Sequence, residues 1–405
     1  MQTLFLKPKE DRRITSGHLW VFSNEVDNTK SPLSAFSAGE DVTIVAANGT
    51  PIGSATINPH ALICARIHST HPNTPLDHNL VANRLQTAFA FRQQAFQQPY
   101  YRLCHGEGDL LPGLVIDRFG ETLTVQITTK AMEMRKASVC EVLTKTLPAL
   151  FPHDWAIHGI FFDNAIPMRN LEGLSPIPDT IGTVPEDLSI PENGLTMKAP
   201  LQQGQKTGWF YDQRANRLLA ARYAKHCDVL DAFCYVGGFG VCAASFGAKS
   251  LTFLDAQQRA LDYAKINCAA NAPDLLPSAS FFCGDALTML QQFYAEGRRF
   301  DWISLDPPAF IKRRKDIQQG LITYRRLHVL ALRLLRPYGY LISSSCSYHL
   351  TQESLLDAIK RAAAKNALVP QILSLGRQDC DHPELLGMPE TSYLKCAIVR
   401  LCPSS

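Results

Sequence analysis

From residue 228 onward, short apolar runs alternate with longer stretches whose apolar positions recur at helical spacing. The runs cover 228–233, 250–255, 280–283, 300–306 and 340–344. The helical stretches cover 257–271, 286–296, 316–335 and 352–365. Strand–helix alternation at this rhythm predicts a parallel sheet covered on both faces. Two last apolar runs, 370–375 and 393–401, predict an antiparallel hairpin that closes the sheet.

Upstream the pattern is different. Residues 41–46 and 61–67 read as strands, separated by the turn signals Asn48-Gly49 and Asn58-Pro59. That suits a small β-barrel. Between 74 and 174 the signals are mixed: a helix over 79–98, a hairpin of 114–117 and 122–127 around Arg118-Phe-Gly120, and a second helix over 131–147. Pro178, Pro185 and Pro191 mark a Pro-rich connection. The expected division is 1–72, 73–190 and 191–405.

Composition narrows the class. Of 405 residues, 46% are hydrophobic and 19% charged, enough to build cores and too apolar for a disordered chain. No apolar run approaches the ~18 residues of a membrane span. The opening residues place charges straight after a very short apolar stretch, with no signal-peptide core, so a cytoplasmic protein is expected. A net charge of +3 neither demands nor excludes a nucleic-acid partner, so any basic footprint must be local. The 12 cysteines form no CxxC pair, and most read as small buried hydrophobes in a reducing compartment. Cys380-Asp381-His382 has no second pair to complete a metal site, and a loop without metal is expected there.

Chemistry gathers at the strand ends, where open α/β sheets bind ligands. The first run carries Asp231 and leads into Cys234-Tyr-Val-Gly-Gly-Phe-Gly240, whose adjacent glycines let backbone approach a ligand. Asp255 ends the second run, placed to accept from ribose hydroxyls or to cap the next helix. Asp285 follows the third, placed to hold an adenine edge or to cap its own helix. Asp306-Pro-Pro-Ala-Phe310 follows the fourth and Ser345-Cys-Ser347 the fifth. Gly238-Phe-Gly240-Val-Cys-Ala243 also fits the dinucleotide pattern GxGxxA, which alone would suit a dehydrogenase. The two prolines argue otherwise: they stiffen a strand exit that holds a carboxylate and an aromatic ring at the mouth of a pocket, suited to gripping a flat base.

With these residues in view, the segment resembles a class I S-adenosylmethionine-dependent methyltransferase. Nearly end to end, the chain resembles the bacterial large-subunit rRNA cytosine-C5 methyltransferases, the family that includes ribosomal RNA large subunit methyltransferase I. Gly17-His-Leu-Trp-Val-Phe-Ser-Asn-Glu-Val26 is similar to the opening of that family's PUA domain, an RNA-binding β-barrel. Gly106-Glu-Gly-Asp-Leu-Leu-Pro-Gly113 and the hairpin after it match the central region. Gly204-Gln-Lys-Thr-Gly-Trp-Phe-Tyr-Asp-Gln-Arg-Ala-Asn-Arg217 matches the approach to the catalytic domain, and no P-loop frame precedes Lys206-Thr207. Asp381-His-Pro383 is a further match. Departures are Val236 where Thr is common, Ala256 after Asp255, His328 where Asn is common, and Pro337-Tyr338-Gly339 where two glycines are usual.

The resemblance implies an α/β fold: a Rossmann-like methyltransferase domain with a C-terminal antiparallel hairpin, preceded by a PUA-type barrel and a small α+β domain. It implies S-adenosylmethionine as cofactor and large-subunit rRNA as partner, with a homodimer as an open option and no metal. The donor site would be drawn from Asp231, Phe233, Tyr235, Gly237, Gly238 and Phe239 around the glycine turn. Asp255, Asp285, Ala286 and Asp306 would join it from the later strand ends, and Tyr211, Gln213 and Arg214 from the approach segment.

Cys346 and Asp306 are the expected catalytic pair. Cytosine C5 is too weak a nucleophile to take a methyl group unaided, and a thiolate adding at C6 would activate it. Asp306 would pair with the N3/N4 edge. Lys312, Arg313, Arg314 and Lys315 follow Phe310 closely, so they are expected to meet phosphates while Phe310 stacks on the target base. Three other readings stay open: a guanine-nitrogen methyltransferase, which would not need Cys346; a non-catalytic RNA-binding protein with the same fold; and, more remotely, a dehydrogenase.

Overall fold

The computed structural model describes residues 1–201 and 208–404. The motif residues Gly204 to Thr207 therefore lie outside the described residues. The chain forms two compact units: residues 1–186 with 380–391, and residues 187–201, 208–379 and 392–404.

The first unit contains two five-stranded sheets. In one, Gln2–Phe5 pairs parallel with Asp41–Val45, which continues antiparallel through Pro51–Ile57 and Ile63–Ser69 to Trp20–Phe22. Val42, Ile44, Ala55, Ile57, Cys64 and Ile67 are buried in its core. The other runs from Tyr100–His105 through the hairpin Leu114–Phe119 and Thr122–Ile127 to Gly159–Phe162 and Asp179–Gly182. The helix His78–Ala95 covers it, started by Asp77 accepting from Leu80 N–H at 2.9 Å.

The single helix expected over 131–147 is instead a series of short pieces, Lys130–Met134, Lys136–Glu141, a π turn at Val142–Thr146, and Leu147–Leu150. Arg135 leaves helical geometry to bond Gly39 O and Asp41. Pro148 has no N–H to give to the preceding turn, which widens to accommodate it.

Residues 380–391 lie far along the chain yet belong to this unit. Arg92 donates to Asp381 O at 2.8 Å and Arg102 N–H to Asp381 Oδ2 at 2.9 Å. His382 Nδ1 bonds Asp381 Oδ1 at 2.7 Å. Asp381 and His382 thus serve as buried fastening. The continuous domain expected over 191–405 is interrupted here, and the second unit starts at Asp187 with the antiparallel pair Asp187–Glu192 and Leu195–Pro200.

The rest of the second unit is the sheet the alternation predicted. Its strands are β1 (Asp228–Ala232), β2 (Ser250–Asp255), β3 (Ser280–Cys283), β4 (Phe300–Leu305), β5 (Leu335–Ser345), β6 (Leu368–Gly376) and β7 (Lys395–Pro403). Their order is β3-β2-β1-β4-β5-β7-β6, with β7 antiparallel to both neighbours. The helices are α1 (Arg214–Ala221), α2 (Gly238–Ser245), α3 (Gln258–Asn271), α4 (Ala286–Ala295), α5 (Ile317–Leu334) and α6 (Gln352–Lys365). The strand order reverses beside β1, so β1 and β4 part their following connections and open a crevice at their carboxyl ends. Tyr338, inside β5, has φ +64°, the left-handed conformation that a glycine takes without strain.

Candidate functional site

The turn after β1 is tightly wound: Phe233, Tyr235 and Gly237 all have positive φ (60°, 49° and 85°). Such backbone persists only when its surroundings over-determine it, and two carboxylates do so. Asp231, 1% exposed, accepts from Gly240 N–H at 2.7 Å and from the Ser304 hydroxyl at 2.6 Å. Burial pushes its carboxyl up to about 6 against the pull of those bonds. Asp255 accepts from Tyr235 N–H and from Gln257 N–H, both at 2.9 Å. Asn267 on α3 holds the same turn by donating to Val236 O at 2.9 Å.

Glycine is required where the turn meets the sheet. A Cβ on Gly240 would lie 2.5 Å from the Phe253 ring, and one on Gly237 3.1 Å from both Phe253 and Ala264. Phe239 and Ala286 are buried. Asp285 is the N-cap of α4, accepting from Thr288 N–H and its hydroxyl at 2.9 Å each. Both bonds fall on Oδ1.

These residues fit an adenosine-bearing donor. An ionised carboxylate offers about four acceptor positions, and Asp255 spends two on backbone, leaving capacity for a ribose diol. Asp231 braces the same turn through Gly240 N–H.

Beyond β4, Asp306 accepts from Gln213 Nε2–H at 3.0 Å. Gln213 is buried, and its Oε1 accepts from Asn216 Nδ2 at 2.7 Å. Asn216 is packed against Gly376, where a Cβ would sit 2.0 Å from Asn216 Oδ1. Arg214 pairs with Asp379 at 3.1 Å and lies over the buried Tyr211 ring. Trp209 and Arg217 share Glu192 as a buried acceptor.

Cys346 stands one residue past β5, in the turn after Ser345. The hydroxyls around it are tied together: Tyr324 OH bonds Ser345 Oγ at 2.7 Å and Ser347 Oγ at 3.0 Å, and Ile311 N–H donates to Ser347 Oγ at 3.2 Å. Phe310 packs edge-on against Tyr324, centroids 5.0 Å apart, so its ring is half-buried rather than fully presented. The departure His328 is buried under this network, bonded to Ser343 Oγ at 2.8 Å, and burial pulls its imidazole down to about 4. Lys312, Arg313, Arg314 and Lys315 are all exposed, with Arg313 loosely paired to Asp316 at 3.4 Å.

The structure thus brings Asp231, Tyr235, Gly237, Gly240 and Asp255 into one turn, and Gln213 to Asp306. Two contributors were missed in the sequence, Asn216 and Lys395. Lys395 opens β7, is 8% exposed, and donates to Ser347 O and Tyr393 O at 2.8 Å each. A lysine heading an apolar run that borders Cys346's strand was the available signal.

This strand order, with its glycine turn and acidic strand ends, is the class I methyltransferase architecture. A family model described as S-adenosylmethionine-dependent methyltransferase matches residues 174–381, and one described as PUA-like domain matches 4–70. A Tolumonas auensis protein named ribosomal RNA large subunit methyltransferase I is 34% identical over 98% of this chain and 99% of its own length. An Escherichia coli protein of the same name is 32% identical over 97% of both chains. Among solved structures, a SAM-dependent methyltransferase from Streptococcus mutans is similar in fold, with TM-score 0.82 at 19% identity, covering 99% of this chain and 100% of that one. A methyltransferase complexed with SAH is similar at TM-score 0.83 and 20% identity, with the same coverage. The chain belongs to the ribosomal RNA large subunit methyltransferase I family of S-adenosylmethionine-dependent methyltransferases. Among the described residues no helix is long and apolar enough to cross a membrane.

Proposed function

We propose that the protein methylates C5 of a cytosine in large-subunit ribosomal RNA, with Cys346 as nucleophile and Asp306 as the partner of the base edge. One observation carries the reading. Cys346 lies one residue past β5 and Asp306 one residue past β4, and these two strands are adjacent and parallel, with Leu305 opposite Ser343. The names of relatives that match nearly the whole chain support rRNA as substrate.

In this reading the Cys346 thiolate adds to C6, and the electrons of the C5–C6 double bond move toward C5 and the ring. Asp306 accepts from the N4 amino group and so holds the ring flat against the attack. Asp255 and the 233–240 turn would hold S-adenosylmethionine, which would supply the sulfonium methyl for the activated C5, its S–CH3 bond breaking to leave S-adenosylhomocysteine. A base then removes the C5 proton, the double bond re-forms, and the C6–S bond breaks to return the thiolate. A base embedded in folded RNA must be extruded to reach such a crevice. Phe310 and the 312–315 run, at its rim, would receive the base and the flanking phosphates.

Asp-Pro-Pro-aromatic segments also suit amino-group chemistry, which favours a guanine-nitrogen methyltransferase as the second reading. Mass mapping of nucleosides, after incubating unmodified large-subunit rRNA with the protein and S-adenosylmethionine, separates the two. A 5-methylcytosine product is expected; a methylguanosine product would replace this reading with the other.

A further inference from the structure

We propose that Lys395 is a positioning residue for this reaction: its buried ammonium, fixed against the turn that carries Cys346, holds that thiol in its thiolate form. The inference rests on the reading of Cys346 as nucleophile.

The geometry is set by the sheet. Lys395 is the first residue of β7 and lies directly opposite Ser345, the residue before Cys346. Its Nζ donates at 2.8 Å to the carbonyl of Ser347, the residue after Cys346, and at 2.8 Å to that of Tyr393. The ammonium is therefore bound to both ends of its own setting, one on the cysteine turn and one on the chain entering β7. Carbonyls only accept, so both bonds require protons on Nζ. An ammonium has three N–H groups, and two are committed to these carbonyls.

A lysine in an 8% exposed position carries a desolvation cost that an apolar residue would avoid. Fixing one turn by hydrogen bonds does not need a charge. A charge is useful where an anion must be stabilised, and Cys346 interacts electrostatically with Lys395. Burial pulls Lys395 down to about 8, while the cysteine works to raise it.

Tyr324, on α5, interacts electrostatically with Cys346 and with Asp306 at the end of β4. Tyr324 is raised by burial and stays neutral, its hydroxyl bonded to Ser345 and Ser347. Asp306 carries a negative charge that opposes a thiolate. Lys395 supplies the compensating positive charge, and lowered thiol pKa values occur beside such cations.

The test is the pH dependence of Cys346 alkylation by iodoacetamide in the full chain, followed by peptide mass spectrometry. Only the thiolate reacts, so the acid limb reports the thiol's own titration. In the wild type the limb is expected at least one pH unit below the ~8.5 of an ordinary thiol. Lys395→Gln keeps a hydrogen-bond donor and removes the charge. It is expected to slow Cys346 alkylation about tenfold at pH 6.5, as when the acid limb moves up by one pH unit. The exposed Cys283 should be unchanged and serves as internal reference. Retained S-adenosylmethionine binding shows that the variant is folded.

An unshifted profile in folded Lys395→Gln overturns the proposal. Should that variant not fold, the wild-type profile decides alone: a Cys346 limb at ~8.5 or above, the value of an ordinary thiol, overturns it. Failure of the C5 reading looks different. There Cys346→Ala keeps its methylation activity, whatever the alkylation profile shows.

Discussion

Gln213 Nε2–H donates to Asp306 Oδ1 at 3.0 Å, and the amide is turned that way by Asn216, which donates to Gln213 Oε1 at 2.7 Å. A carboxylate only accepts, so the nitrogen must face it, and the oxygen then needs a donor behind it. The relay runs from α1 to the end of β4 and fixes the carboxylate proposed to read the target base. Gln213→Leu removes a hydrogen bond to a charged group, worth ~1.5–3 kcal/mol. Methylation kcat should fall roughly tenfold to a hundredfold. Steady-state methylation assays check this, and an unchanged kcat would remove the relay from the mechanism.

Asp255 has two duties that a substitution should separate. It braces the turn through Tyr235 N–H and Gln257 N–H, and a carboxylate keeps acceptor capacity beyond those two bonds. Asp255→Ala should weaken S-adenosylmethionine binding by about tenfold to a hundredfold, because charged hydrogen bonds to the ribose are removed. It should also lower Tm, because two backbone donors lose their partner. Calorimetry of the folded variant measures the first effect, and unaltered affinity would assign Asp255 to the turn alone.

Asp231 should give the stability a pH dependence of unusual sign for a carboxylate. Its folded value, about 6, lies above the reference 3.8 because burial disfavours the charge. Between roughly pH 4 and 6 the folded state therefore holds the proton more tightly than the unfolded chain. The contribution is fully present below about 4 and is lost as pH rises through about 6, on the order of 3 kcal/mol in all. Denaturant titrations from pH 4 to 7 should show this loss in the wild type and lack it in Asp231→Asn. Identical slopes in the two proteins would contradict the assignment.

Lys312, Arg313, Arg314 and Lys315 stand exposed on the loop that follows Phe310. If each neutralises a phosphate, replacing all four with Ala should weaken rRNA binding. The slope of log affinity against log salt should flatten by up to ~0.7–0.9 for each phosphate no longer neutralised. Donor affinity should not move. An unaltered salt slope would return the run to an ordinary solvated face.

The sheet was legible because buried parallel strands read as continuous apolar runs, and every strand from 228 to 305 lies within about a residue of its expected span. The π turn before Pro148 was less so, since apolar spacing reports a helical face and not the hydrogen-bond ladder beneath it. At the site, acidic strand ends were visible, but their partners were not. Asp285 was placed both to cap and to bind, and the bond of its Oδ1 to Thr288 N–H shows the capping. Asn216 lay within the approach motif, which did not show that its amide orients Gln213; Lys395 carried no motif and acts through a residue distant in sequence, Ser347. The same holds for residues 380–391, whose fastening to Arg92 and Arg102 no local pattern announces.

Attack of Cys346 on the base leaves a signature more specific than a rate: a covalent complex. Large-subunit rRNA carrying 5-fluorocytosine at the methylated position has no C5 proton to release after methyl transfer, so the adduct cannot resolve. Incubated with S-adenosylmethionine, wild-type protein should become joined to this RNA through Cys346, seen as a denaturation-resistant band and a modified Cys346 peptide. Cys346→Ala should bind the donor normally, form no adduct and produce no 5-methylcytosine. Absence of trapping by wild-type protein on a substrate that it methylates in unfluorinated form, or full activity in Cys346→Ala, would rule out Cys346 as the nucleophile.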